Sequence, residues 1–120
     1  MALKRIILEM GTGNDLHGQD YTKAAMRAVD DALHHCSLAL FRSLEIDPST
    51  MQIDVTIGVQ EPDAVDCSAV GARLPYGTVH VRTELGGLNV PAAESRNVIV
   101  VATAAIDVRL ELPETAATGD

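Results

Sequence analysis

Apolar and polar residues alternate with the period of a β-strand in four stretches of the chain, residues 3–10, 51–60, 78–85 and 97–112. The alternation over 51–60 is nearly complete, which is typical of a strand with one buried face and one polar face. The fourth stretch opens with an apolar run, which predicts burial on both faces before the alternation resumes. In the first strand, alternation assigns residues to opposite faces: Ile6, Leu8 and Met10 to one, and Ile7 and Glu9 to the other.

Helical spacing of apolar residues predicts a long helix between the first two strands. Apolar residues recur three or four positions apart over 25–44, and Asp20 is of a type that commonly caps helix N-termini. The predicted helix therefore runs from Asp20 to about Ser43. Its apolar face is rich in alanine, which predicts that it lies close against a sheet. The residues expected to be buried there include Ala28, Ala32 and Cys36.

The segment 63–74 predicts a second, shorter helix, with Asp63 or Asp66 near its start. Gly86-Gly87 interrupts the third strand as a bulge or a bend, after which residues 88–90 continue it. The order β-α-β-α-β-β predicts an α+β two-layer sandwich with the helices on one face of a mixed sheet. We expect one domain over residues 1–112, followed by a flexible acidic tail at 113–120.

The sheet face opposite the helices is expected to carry polar and charged side chains. These residues are Asp54, Thr56, His80, Arg82, Glu84, Asp107 and Arg109. Such a face meets either water or other copies of the chain. The second alternative would explain why opposite charges recur on neighbouring strands.

Composition limits the partners of the protein. The net charge of −8 argues against nucleic acid and anionic membranes as partners. One Phe, two Tyr and no Trp predict an aliphatic core and leave few side chains for base stacking. The two cysteines make no disulfide framework, and the sequence shows neither the pattern of a signal peptide nor an apolar run of about 20 residues. We therefore expect a cytoplasmic protein that does not cross a membrane.

The clearest candidate site is the stretch Gly11–Gly18, which is predicted to be a glycine-rich loop between the first strand and the long helix. Glycine lets the backbone approach a ligand closely, and the helix N-terminus offers unpaired N–H groups. The stretch matches neither the dinucleotide-binding pattern nor a Walker loop. The residues predicted to bind a ligand are Glu9, Gly11, Gly13, Asn14, Gly18 and Lys23.

Asp15 and His17 are the candidate catalytic residues of this loop. They are two positions apart, so an extended loop would place both side chains on one side. They would act either as a histidine base oriented by an aspartate or as two ligands of a divalent metal ion. The alternative is a tight turn in which both bind backbone groups. The expected protein is thus an enzyme acting on a small polar metabolite, or a non-catalytic ligand-binding or structural protein.

The pattern Gly11-x-Gly13-x-Asp15-x-His17-Gly18, followed by Lys23-Ala24-Ala25, resembles a family of conserved hypothetical proteins. The hallmark of that family is GxGxDxHG near the N-terminus. The likeness extends over 54–59, 75–77 and Gly86-Gly87. The family has no established function, so the resemblance directs attention to the motif without naming a reaction.

The segment 13–17 is also distantly similar to the metal-binding turn of methylerythritol cyclodiphosphate synthase. The third metal ligand of that enzyme is a histidine, at a position where this chain has Gln19. The resemblance therefore implies the fold rather than the cyclase reaction. The implied fold is chorismate-mutase-like or RutC-like, whose members are commonly trimers with sites between subunits. A homo-oligomer is accordingly expected, with a trimer favoured.

Overall fold

The computed structural model describes residues 2–34, 47–93 and 97–112. Within these ranges the elements, in chain order, are β1 (Ala2–Asp15), α1 (Tyr21–His34), β2 (Gln52–Val59), α2 (Cys67–Gly71), β3 (Thr78–Leu85), β4 (Leu88–Pro91) and β5 (Val98–Leu112). Short 3-10 turns at Pro48–Thr50 and Pro62–Ala64 precede β2 and α2. Neither of the helices in these ranges has the length and apolar character needed to span a membrane.

The strands form one mixed sheet in the order β1-β5-β2-β3. β5 is antiparallel to both β1 and β2, whereas β3 is parallel to β2. β4 pairs with β5 beyond the end of β2, because Leu88 lies opposite Val101 and Pro91 opposite Val98. The long β5 is therefore the centre of the sheet, with β1 on one side and β2 followed by β4 on the other.

The Gly86-Gly87 step carries the chain from β3 across the end of β2 to β4. The Gly86 N–H donates to the Val59 carbonyl at 3.0 Å, and Gly87 has a left-handed φ of 59°. A Cβ on Gly87 would clash with the carbonyl oxygens of Val101 and Gly58. The predicted interruption is confirmed, and it moves the chain to a new partner strand.

Both helices cover the same face of the sheet, and the core lies between them and the strands. The strand side chains buried there alternate along β2 and β5: Ile53, Val55, Ile57, Val59, Val100, Ala102, Ala104, Ile106, Val108 and Leu110. α1 contributes Tyr21, Ala24, Ala25, Ala28, Val29 and Ala32. The predicted two-layer α+β architecture is therefore confirmed, as is the burial of Ala28 and Ala32. Cys36, the predicted helical residues after His34 and the tail at 113–120 lie outside the described residues.

Aspartate side chains begin both helices. The Asp20 carboxylate accepts a hydrogen bond from the Lys23 N–H at 3.0 Å, as expected for an N-cap. The Asp66 carboxylate accepts from the N–H groups of Ser68 and Ala69, so α2 begins after Asp66. α2 is shorter than the predicted 63–74, because Pro62 first starts a separate 3-10 turn.

The first strand is longer than predicted, and the Gly11–Gly18 loop is correspondingly shorter. Gly11 to Asp15 belong to β1 and pair with residues 104 to 100 of β5, which leaves only a short turn before α1. The register of β1 shifts between Arg5 and Ile7, so that one extra residue bulges out of the ladder. After this bulge, the odd-numbered residues of β1 face the helices and the even-numbered residues face away.

Candidate functional site

Gly11 and Gly13 are contact points between β1 and α1 rather than members of a ligand loop. A Cβ on Gly11 would clash with the backbone of Ala28 and Ala32, and a Cβ on Gly13 with the backbone of Ala24 and Ala28. The three alanines recur every four residues, so they form a stripe along one side of α1. Strand and helix can approach this closely only because both surfaces lack larger side chains.

Asp15 is a buried charged residue at the end of β1, only 2% exposed. Its Oδ2 accepts a hydrogen bond from the Asp20 N–H at 2.8 Å, and its Oδ1 lies 3.8 Å from Nη1 of Arg27. The same Arg27 nitrogen donates to the carbonyl of Asn14 at 2.6 Å. Asp15 thus fixes the turn that leads into α1, which corresponds to the structural alternative that the sequence left open.

His17 and its neighbours form the turn between β1 and α1. His17 is exposed, and Gly18 and Gln19 both have left-handed backbone conformations, with φ of 89° and 51°. The Gln19 side chain donates to the Tyr21 hydroxyl at 3.1 Å, and Asn89 of β4 donates to the same hydroxyl at 2.7 Å. The turn is therefore tied to β4, whereas Asp15 points into the fold and His17 into solvent.

The remaining residues predicted at this site are spread over several surfaces. Glu9 is partly buried on the helix side of β1, Asn14 is exposed on the opposite side, and Lys23 is exposed on α1. Within 2–34, 47–93 and 97–112, no three His, Cys, Asp or Glu side chains are placed to hold a metal ion together. The role of His17 toward a ligand stays a prediction.

The second candidate site is the sheet face that the helices leave uncovered, which we call the open face. The strand registers arrange its side chains in rows across β1, β5, β2 and β3. From one end these rows are Arg5–Arg109–Gln52–Thr78, Leu8–Asp107–Asp54–His80, Met10–Ala105–Thr56–Arg82 and Thr12–Thr103–Gly58–Glu84. All seven residues predicted for this face are in these rows.

Hollows lie along the open face within the described residues. One, of about 540 Å³, is lined by Thr56, Gly58 and Ala105 together with Met10 and Glu84. A second, of about 510 Å³, is lined by charged residues including Asp54, His80, Arg82, Arg5, Asp107 and Arg109. A third, of about 400 Å³, lies at the end of the sheet against Leu3 and Glu111. The face is thus a long, uneven surface rather than one enclosed pocket.

The open face also carries exposed apolar side chains. Of the eight large hydrophobic side chains exposed in the described ranges, five lie on this face: Leu3, Leu8, Met10, Leu88 and Val90. Alternation alone did not predict this, because one extra bulged residue reverses which face each later residue of β1 occupies. The Gly-Gly interruption before β4 was a sequence signal for part of this surface.

Some charges on the open face are paired and others are not. Asp107 accepts hydrogen bonds from Arg5 at 2.9 Å and Arg109 at 3.0 Å, and Arg5 foremost, with Arg109, holds the pKa of Asp107 below its ordinary value. Arg82 donates through Nε to the Thr56 hydroxyl at 3.1 Å. Asp54 and Glu84 make no side-chain hydrogen bond or ion pair within the described part of the chain.

A mixed sheet with helices on one face and an open second face places the protein among the two-layer α+β sandwiches. A family model described as "Conserved hypothetical protein (Lin0512_fam)" matches residues 5–108, and the chain belongs to this family. The family resemblance predicted from the sequence motif is therefore confirmed.

Among solved structures, the chain is similar to an FtsZ-like protein of unknown function from Nostoc punctiforme PCC 73102, known from a crystal structure at 1.22 Å resolution. The two chains are 36% identical and superpose with a TM-score of 0.81. The match covers 93% of this chain and 99% of the other. No curated protein matches the chain.

Proposed function

We propose that this protein is an assembly protein whose copies associate through the open faces of their sheets. The observation that carries the proposal is the concentration of exposed apolar side chains on that face. Leu8 is 45% exposed, Met10 67% and Leu88 60%. Apolar side chains gathered on one surface, rather than scattered singly, favour a protein–protein contact.

The size of the open face fits such a contact. β5 has 15 residues. β1 has 14 residues, β2 and the β4 that follows it have 8 and 4, and β3 has 8. At about 3.3 Å per residue and about 4.8 Å between strands, these strands and β5 give a face of the order of 800 Å². A standard interface buries about 800 Å² on each partner. The open face is therefore large enough to supply a standard interface.

The face also suits a second copy better than an unrelated partner. It carries both signs of charge, with Asp54 and Glu84 against Arg82 and the cluster of Arg5, Asp107 and Arg109. A two-fold axis brings the same surface of both copies together, so a surface that contains both signs can complement itself. The contact is consistent with a dimer. It is also consistent with a hexamer of two trimers, which would retain the expected trimer.

The test is the mass of the protein in solution, measured by light scattering on wild type and two variants. The monomer is 12.7 kDa, so we expect a mass of two or six times that value for wild type. Met10→Lys should lower the mass toward the monomer, because it replaces the most exposed of the five apolar side chains on the face with a charge. Circular dichroism should show that the variant is folded.

Leu16→Lys is the matched control. Leu16 is 52% exposed in the turn after β1 and lines none of the three hollows. Both variants change the net charge from −8 to −7, so general repulsion between copies falls equally in both. Leu16→Lys should therefore assemble like wild type. A monomeric wild type, or equal loss of assembly in both variants, would overturn the proposal.

The second candidate function is the small-molecule site predicted at Gly11–Gly18, now confined to the turn after Asp15. What supports it is the left-handed φ of 51° at Gln19, because such conformations are uncommon outside glycine and occur often at functional sites. His17 supplies an exposed titratable group beside it. The ligand would be a small polar metabolite or a divalent metal ion.

The free thiol of Cys67 fits the proposed cytoplasmic location.

A further inference from the structure

We infer that the contact between open faces is set by reciprocal ion pairs between Asp54 of one copy and Arg82 of the other. This inference rests on the proposed self-association and specifies how the two copies are oriented. Asp54 is exposed and has no side-chain partner within the described residues. Arg82 is also exposed, and its hydrogen bond to the Thr56 hydroxyl uses Nε, which leaves both terminal nitrogens as donors.

The two residues occupy a diagonal of the sheet lattice. Asp54 lies opposite His80 across the β2–β3 pair, and Thr56 lies opposite Arg82 in the next row. Strands are about 4.8 Å apart and alternate residues about 6.8 Å apart, so the diagonal between Asp54 and Arg82 is roughly 8 Å. Consider a two-fold axis that lies in the plane between the two faces. If it passes over the middle of this diagonal and is perpendicular to it, each Asp54 lies over Arg82 of the other copy.

The same axis brings Glu84 into the charged cluster of the second copy. On an idealised flat lattice with the spacings above, Glu84 lies nearest Asp107 of that copy, with Arg109 and Arg5 roughly 5 Å to the side. That cluster has two arginines and one aspartate, so it carries a net positive charge, and Glu84 has no partner within its own described chain. The axis also passes beside Ala105, a small residue that permits close approach. In this orientation Asp54 gains Arg82 as a partner, and Glu84 lies beside a cluster whose net charge is positive.

The inference is tested by charge reversal and mixing, with light scattering as the measurement. Asp54→Arg brings an introduced arginine against Arg82 of the second copy, and Arg82→Asp brings an introduced aspartate against Asp54. Each variant alone should associate at least roughly tenfold more weakly than wild type, because like charges then meet at both positions.

An equimolar mixture of the two variants should recover the wild-type mass. In a mixed pair, the two introduced residues face each other as arginine and aspartate. The unchanged Arg82 of the Asp54→Arg copy faces the unchanged Asp54 of the Arg82→Asp copy. Opposite charges therefore meet at both positions across the axis, as they do in wild type.

Asp63→Arg is the control, since it makes the same charge change as Asp54→Arg at an exposed residue away from the open face. It should assemble like wild type and should not rescue Arg82→Asp. Two results would refute the ion pairs while self-association stands, provided that wild type assembles. In the first, each reversed variant still assembles alone. In the second, each variant loses assembly but the mixture does not recover it. A monomeric wild type would overturn both proposals, so the two failures are distinguishable.

Discussion

The Asp15 carboxylate illustrates how a residue suited to catalysis can be used to fix the backbone. It is buried, and both of its oxygens are directed toward the chain's own groups, the Asp20 N–H and the Arg27 guanidinium. A buried carboxylate requires such partners, because leaving it without them would be strongly unfavourable. His17 lies two residues further on but points into solvent, so the two side chains have different environments.

Replacing Asp15 and His17 separately should therefore give different results. Asp15→Ala leaves the Asp20 N–H without its acceptor and removes the charge near Arg27, so we expect a loss of about 1–3 kcal/mol in the free energy of unfolding. His17→Ala should change that free energy by less than about 1 kcal/mol, as for an exposed substitution. Urea unfolding of both variants measures the difference.

A thermal-shift screen with small polar metabolites and divalent metal ions completes this comparison. If the turn binds a ligand, a compound that raises the melting temperature of wild type should have no effect on His17→Ala. If instead His17→Ala is as destabilised as Asp15→Ala and no compound shifts wild type, His17 is a structural residue and the small-molecule site should be abandoned.

At the scale of the elements, the contact between β1 and α1 gives a physical reason for the two glycines of the GxG pattern. Their absent side chains leave room for the backbone of α1 at Ala24, Ala28 and Ala32. The edge of the same strand is also bound to the helix, because the Thr12 N–H donates to the Asp31 carboxylate at 3.0 Å. The motif therefore encodes the packing of two elements.

Gly13→Ala should reduce stability by at least about 1–3 kcal/mol, because its Cβ would overlap backbone atoms that cannot rotate away. Gly71→Ala is the control. Its Cβ would meet side-chain atoms of Val81 and Val79 at 3.4 and 3.8 Å, which is ordinary contact, and alanine favours the helix by up to about 1 kcal/mol. Chemical denaturation of both variants measures the change in the free energy of unfolding that each substitution causes. An unchanged stability of Gly13→Ala would mean that α1 does not lie against β1 as described.

The elements also show which parts of the fold are readable from the sequence. Period-two alternation identified β2, β3 and β5, and helical spacing with the Asp20 cap identified the start of α1, because these patterns follow from local geometry. The extent of β1 was missed, since glycines read as loop residues unless the helix that requires them is known. The bulge near Ile6 was missed because an extra residue in one strand is defined only by its pairing with β5.

The candidate sites show the same distinction between features that local sequence patterns predict and features that depend on strand pairing. The charged residues of the open face were predicted correctly from alternation, because a strand's polar face is a local property. The joining of Leu8, Met10 and Leu88 into one surface was not predicted, since it depends on the bulge in β1 and on the transfer of the chain from β3 to β4. The described contacts of Asp15 are with the Asp20 N–H and Arg27, and a ligand role for the motif stays a prediction.

At the scale of the whole molecule, association through the open face should be linked to folding. When folded copies associate and unfolded chains do not, raising the protein concentration favours the folded state by mass action. We therefore expect the melting temperature of wild type to rise with concentration over a hundredfold range. Met10→Lys should melt at a temperature that does not depend on concentration, because its folded form stays monomeric.

Leu16→Lys should keep the wild-type dependence, which separates loss of the contact from a general effect of adding a lysine at an exposed apolar position. Scans at two heating rates should agree, since only a reversible transition reports this equilibrium. In the isolated chain one sheet face remains exposed to water. Association buries apolar side chains of that face, and this burial adds to the stability of the folded state. A wild-type melting temperature independent of concentration would contradict the linkage and would leave the open face as a surface for some other partner.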